Sequence, residues 1–208
     1  MNINNKISNV LVSIFRSKKN EDFATKRKFY NIVVTNNLTD YHIDASHINM
    51  LYINGRYVDF KEYYNCKLNL IEKNDISTFR HIYRCRGLGC IVVSQKLKDV
   101  LYPYVKDNYD VEFFPVFLAN EKLGTQQYYI IHFKMCVRAI LYNYSSLAYS
   151  ASLGRYYVIK STLNYERVKD LDFFFVNSIN GAIFSEEIYN ALKKEFGDSL
   201  VIEEVKTI

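Results

Sequence analysis

The amino-acid sequence repeats its own pattern at a distance of 91 residues, and that repeat restricts the fold more than any other feature. Ile82-Tyr83-Arg84-Cys85 leads into a turn at 86–89, the apolar run Ile91-Val92-Val93, Ser94, a helical pattern and then Val111 to Phe117. In the second half, Phe173-Phe174-Phe175-Val176 leads into a turn at 177–181, then Ile183-Phe184, Ser185, a second helical pattern and Leu200 to Val205. Leu97, Leu101 and Val105 lie three, seven and eleven residues after Ser94; Ile188, Leu192 and Phe196 lie at the same offsets after Ser185. Those offsets put each trio on one helix face, the face that packs on a sheet. Both serines stand where the first helical turn has unsatisfied N–H groups, and a serine hydroxyl accepts from one of them. Glu186 and Glu187 add negative charge at the positive end of the second helix, and Gly197 follows it as a C-terminal stop. Each half therefore contains a β-β-α-β unit. The expected fold is α+β, with two related lobes, each a mostly antiparallel sheet carrying one such unit and its packed helix.

Other elements follow from local pattern. Phe29 to Thr35 reads as a strand that ends at the turn Asn36-Asn37. His47 to Ile53 and Arg56 to Phe60 flank Asn54-Gly55, the signature of a two-residue type I′ hairpin turn. Tyr128 to Leu141 and Tyr156 to Leu163 read as long strands, and the serine-rich segment Asn143 to Gly154 between them reads as a polar loop. Ile3, Ile7, Val10, Leu11 and Ile14 fall at helical spacing, which predicts a short helix docked on the body. The expected organisation is a basic N-terminal extension over 1–27, a first lobe over 28–118 and a second over 119–208. No Pro/Gly/Ser-rich linker separates the lobes, so they are expected to pack tightly.

Charge is distributed unevenly. The net charge is +5, and residues 1–28 account for all of it, with seven basic side chains against two acidic. A nucleic-acid-binding domain carries a basic face on the fold itself, whereas this body is electrically balanced. A chain of 208 residues buries a core large enough to fold without disulfides or a metal. Its four cysteines have irregular spacing and no CxxC pair, which reads as reduced thiols in a cytoplasmic protein. No apolar run reaches the roughly 18 residues a membrane helix needs. The Ile7–Phe15 stretch is broken by Ser8, Asn9 and Ser13 and lacks the flanks of a signal peptide.

Motifs of catalysis and metal binding are weak. His81, Cys85 and Cys90 form H-x3-C-x4-C, without the tight knuckles and the defined fourth ligand of a structural zinc site. Arg86-Gly87-Leu88-Gly89 lacks the Gly-Lys-Ser/Thr ending of a phosphate loop and precedes a strand. Cysteines and histidines are scattered, with no pattern that marks a nucleophile and its base. Glu186-Glu187 and Glu203-Glu204 are adjacent pairs, and adjacent acids on a helix or a strand do not converge. The reading is a protein without catalytic residues, metal or cofactor. Tyrosine is the better functional signal: the chain has 19 and no tryptophan. Tyr142, Tyr144, Tyr149, Tyr156 and Tyr157 cluster in and beside the polar loop, and Tyr supplies rigid contact area with a polar tip, suited to interface hot spots.

Several of these segments, taken in order, resemble the immunity proteins of bacterial polymorphic toxin systems, of the immunity protein 43 and immunity protein 11 types. The segments are Lys28-Phe29-Tyr30, Ile91 to Ser94, Val111 to Val116, Gln127 to His132, Ser145-Ser146, Tyr156 to Ile159, Asp170 to Phe174 and Gly181 to Glu187. The resemblance covers roughly 28–208. It implies a cytoplasmic protein that binds and neutralises the C-terminal domain of one cognate toxin without catalysis. The expected partner-binding residues are Tyr142, Tyr144, Tyr149 and Tyr156 of the loop region and Glu186, Glu187, Glu203 and Glu204, whose charge would complement a basic nuclease toxin. The alternative is a nucleic-acid-associated protein that uses the basic arm.

Overall fold

The aromatic and β-branched runs form strands, and the two serine-initiated amphipathic segments form helices, in a computed structural model. It describes residues 26–32, 41–44, 65–72, 78–85, 90–151, 154–176 and 182–208. Among these, β1 (Phe29–Ile32), β2 (Tyr41–Asp44), β3 (Cys66–Glu72), β4 (Ile82–Cys85) and β5 (Cys90–Ser94) precede helix α1 (Gln95–Val105). Then come β6 (Val111–Asn120), β7 (Gly124–Phe133), a 3-10 turn (Tyr142–Tyr144), β8 (Ser146–Ser150), β9 (Arg155–Lys160), β10 (Thr162–Leu163) and the short helix α2 (Tyr165–Val168). The chain closes with β11 (Phe173–Phe175), β12 (Ala182–Ser185), α3 (Glu186–Phe196) and β13 (Ile202–Thr207).

The 91-residue repeat survives as topology. β4-β5-α1-β6 and β11-β12-α3-β13 are the two units, and both helices are eleven residues long. One sheet runs β2-β3-β6-β7-β5-β4, a second β10-β13-β1-β12-β11, and β8 pairs with β9 in a third. β7 lies between β5 and β6 and is antiparallel to both. β1 takes the same place between β12 and β13, again antiparallel to both. Ser94 stands opposite Tyr128 and Ser185 opposite Phe29. A strand from the start of the chain thus completes the sheet of the second half, and the 118/119 boundary falls inside β6. Two strand pairs among the described residues are parallel, β3–β6 and β10–β13. The fold is α+β, with strands predominating.

The two units bury their helices in one place. Leu97, Leu101 and Val105 of α1 join Ile188, Leu192 and Phe196 of α3 in a single cluster with Ile91 and Val93 of β5 and Phe184 of β12. Each fully buried aliphatic side chain contributes about 1.5–3 kcal/mol. Lys96 Nζ on α1 reaches Glu195 Oε1 on α3 at 2.8 Å. The opposite face of the six-stranded sheet is filled by Val92, Leu68, Leu118 and Tyr128, that of the five-stranded sheet by Phe29, Ile183, Leu163 and Val168. β5 and β12 are buried on both faces, which is why they read as unbroken apolar runs rather than alternating ones.

Four expectations change. The strand expected over Tyr128–Leu141 is β7, which starts at Gly124 and stops at Phe133, the partner of Val111 at the start of β6; one further backbone bond, Lys134 N to Asp110 O at 2.8 Å, follows before the chain leaves the sheet. The strand expected over Tyr156–Leu163 divides at Ser161, since β9 pairs with β8 and β10 pairs with β13. The polar loop expected over Asn143–Gly154 contains the 3-10 turn and β8. Ser185 holds the N-cap position of α3 but its hydroxyl makes no cap bond, whereas Ser94 accepts from Leu97 N at 3.2 Å. Gly197 does end α3, with φ +56°. The N-terminal helix, the Asn54-Gly55 hairpin and the turns at 86–89 and 177–181 lie outside the described residues.

Candidate functional site

Ser145 fixes the root of the β8–β9 hairpin. Its hydroxyl donates to Leu141 O at 2.8 Å and accepts from Thr162 N at 2.9 Å, while Thr162 Oγ1 donates to Tyr144 O at 2.7 Å. These bonds tie the turn bearing Tyr142 and Tyr144 to β10, and through β10 to the five-stranded sheet. Along the hairpin, Leu147 stands opposite Val158, Ala148 opposite Tyr157 and Tyr149 opposite Tyr156. Opposed residues share a face and successive residues alternate. One face therefore carries Leu147, Tyr149, Tyr156 and Val158; the other carries Ala148 and Tyr157 beside Ser146 and Ser150, and Ile159 stands at the register shift between the Ser146–Lys160 and Leu147–Val158 pairs.

An antiparallel sheet ordinarily buries one apolar face and turns a polar one to water. This ribbon is apolar on one face and mixed on the other, and large apolar side chains stand exposed along it. Leu147, Tyr157 and Ile159 are exposed, as are Tyr149 at 58% and Tyr156 at 69%. Tyr142 and Tyr144 beside the root are exposed too. The four tyrosines expected from the sequence thus share one protruding element and its approach. Leu147 and Ile159 were not expected there: embedded among serines and lysine, they look like isolated apolar residues until the strand pairing aligns them.

The four glutamates sit elsewhere and have different surroundings. Glu187 lies on the first turn of α3, where the Arg27 guanidinium, 2.8 Å away, holds its carboxyl below the usual carboxylate range. Arg27 also pairs with Asp172 and donates to the carbonyls of Lys169 at 3.3 Å and Leu171 at 3.2 Å. Glu204 on β13 meets Lys28 Nζ at 3.5 Å. Glu203 and Glu204 point to opposite sides of β13. Tyr30, opposite Glu204, has its phenol pushed up by burial and then by the Glu186 and Glu204 carboxylates. Two of the four acids are therefore held by the protein's own cations. All three described cations of the basic arm rest on the body, Lys26 lying 5.1 Å over the Tyr165 ring.

One serine–histidine pair occurs. His81 Nδ1 lies 3.0 Å from Ser94 Oγ. Ser94 is buried, and its hydroxyl already accepts the helix N–H of Leu97, so the pair caps α1. Burial first, and the Lys96 ammonium second, lower the His81 pKa. Among the described residues no three His, Cys, Asp or Glu side chains are placed to hold a metal ion, and no helix is long and apolar enough to cross a membrane.

No family model matches this sequence, and no curated protein matches it. What the described surface offers most plainly is the exposed tyrosine hairpin.

Proposed function

We propose that this chain is an immunity protein: it binds the C-terminal domain of a cognate bacterial toxin in the cytoplasm and neutralises it by direct contact, without chemistry of its own. The observation that carries this reading is the β8–β9 hairpin, which leaves Leu147, Tyr149, Tyr156, Tyr157 and Ile159 exposed along its length. An isolated two-stranded hairpin is marginal in water and gains stability when a further surface packs on it. A tyrosine buried completely covers about 150–250 Å², and Tyr142, Tyr144, Tyr149 and Tyr156 are each more than half exposed. Four such rings with Leu147 and Ile159 approach the ~800 Å² per partner of a standard stable interface. The sequence resemblance to polymorphic-toxin immunity proteins supplies the class of partner. We further read the two β-β-α-β units as related lobes that share a core and serve as a rigid platform for the hairpin.

The reading expects a large secreted protein with a variable C-terminal domain to be encoded beside this gene, and the test is co-expression of the chain with that domain. The reading expects growth to be rescued and a stable complex to be recovered. A toxic domain that neither binds the chain nor is neutralised by it contradicts the pairing.

A further inference from the structure

We infer that a cavity at the root of the hairpin receives an acidic side chain, flanked by an apolar one, from the partner protein. This inference rests on the reading that the partner docks on the β8–β9 side. The cavity has a volume of about 610 Å³ and lies between the segment that follows β7 and the short helix α2. Among the described residues three cations line it, Lys134, Arg138 and Arg167, and no carboxylate does. Lys134 is partly neutralised from outside by Glu112 Oε1 at 2.5 Å. Neither Arg138 nor Arg167 has an ion pair among the described residues. A planar guanidinium matches a carboxylate with two parallel hydrogen bonds, and does so best where water is partly excluded.

Two features specify a peptide rather than a small free anion. The first is the lining beside the cations, which includes Val137, Ile140 and Val176 and the exposed Met135. That is room and apolar surface for a side chain next to the acid, and Met adapts to varied shapes. The second is continuity: Tyr142 lines the cavity and belongs to the turn that leads into β8. The walls are preformed. Val137 N donates to Phe175 O at 2.9 Å, Asn164 N to Ala139 O at 2.8 Å and Leu141 N to Thr162 O at 2.9 Å, and Arg167 Nη1 donates to Arg138 O. The partner's contribution to this side of the interface is therefore acidic, opposite in sign to a match with Glu186, Glu187, Glu203 and Glu204.

The experiment is a nuclear magnetic resonance titration of the ¹⁵N-labelled full chain with three probes: acetyl-Leu-Asp-Phe-Glu-amide, its neutral counterpart acetyl-Leu-Asn-Phe-Gln-amide, and inorganic phosphate. The acidic peptide is expected to give saturable shifts at the amides of Met135, Val137, Arg138 and Tyr142. Arg138→Gln, at an exposed side chain, is expected to weaken that binding about tenfold, and Arg138→Lys to recover part of it. The neutral peptide is expected to leave these amides unmoved. Equal shifts from both peptides, or none from either, overturn the proposal. Saturation by phosphate as strong as by the acidic peptide overturns the peptide assignment in favour of a small-anion pocket. The cavity holds none of the hairpin rings, so Tyr149→Ser/Tyr156→Ser is expected to bind the acidic peptide as the wild type does. Failure of the cavity thus leaves the hairpin reading standing, and failure of the hairpin shows in partner binding instead.

Discussion

Tyr149 and Tyr156 face each other across the β8–β9 ladder, with ring centroids 5.2 Å apart and planes inclined at 60°. A tilted aromatic pair of this kind contributes about 0.5–1.5 kcal/mol beyond the area it covers. Here it steadies a ribbon whose two strands pair only with each other among the described residues, and both rings remain more than half exposed. Rings already held in place lose little freedom when a partner covers them, which lowers the entropic cost of binding.

Ser94 and Ser185 occupy equivalent positions in the repeat yet act differently. Ser94 caps α1 through Leu97 N; the buried Ser185 hydroxyl makes no bond to the backbone N–H groups of α3. Ser94→Ala is expected to cost about 1 kcal/mol in urea denaturation. Ser185→Ala is expected to cost no more than about 0.5 kcal/mol, since no backbone cap bond is lost. Equal losses from the two would contradict the structure.

Arg27 joins the N-terminal arm to α3 and to the chain before β11, through Glu187, Asp172 and two carbonyl groups. Its carboxylate partners are half exposed and therefore screened. Arg27→Ala is expected to lower stability by about 1–2 kcal/mol. Arg27→Lys should recover only part of that, because an ammonium cannot reach as many acceptors in one plane. Full stability in both variants would show that the arm is not anchored there.

His81 supplies a pH dependence. Its folded-state pKa is lowered, first by burial and then by Lys96, whereas in the unfolded chain it titrates near its ordinary value of about 6.5. Between the two values the unfolded chain binds more protons. The stability that neutral His81 contributes is therefore complete above about pH 6.5 and is lost as pH falls through that window. Glu187, with a lowered pKa, loses its contribution only further down, as pH falls below the ordinary carboxylate range. Urea midpoints measured from neutral pH down to about pH 5 should fall for the wild type and fall less steeply for His81→Gln. Parallel slopes would contradict a half-buried His81 whose pKa is lowered on folding.

The repeat was legible because each unit restates the same offsets from its serine, and those offsets alone place Leu97 and Ile188 on buried helix faces. Strand partnership was not. Nothing local to Phe29 marks Ser185 and Val205 as its neighbours, so the role of β1 in the distant sheet emerges only in three dimensions. The hairpin was hidden because its serines mask the alternation of Leu147 and Tyr149, and because two-sided exposure lacks the apolar/polar rhythm of an ordinary surface strand. Glu187 looked like a surface acid because the cation that holds it, Arg27, is 160 residues away in the chain.

The central claim is that the tyrosine hairpin is the binding element. Its most direct test is calorimetric titration of the toxin domain expected from the neighbouring gene into the wild-type chain and into Tyr149→Ser/Tyr156→Ser. The account predicts at least about thirtyfold weaker binding by the variant, about 2 kcal/mol, with its denaturation midpoint close to wild type. Equal affinity in a folded variant would contradict it.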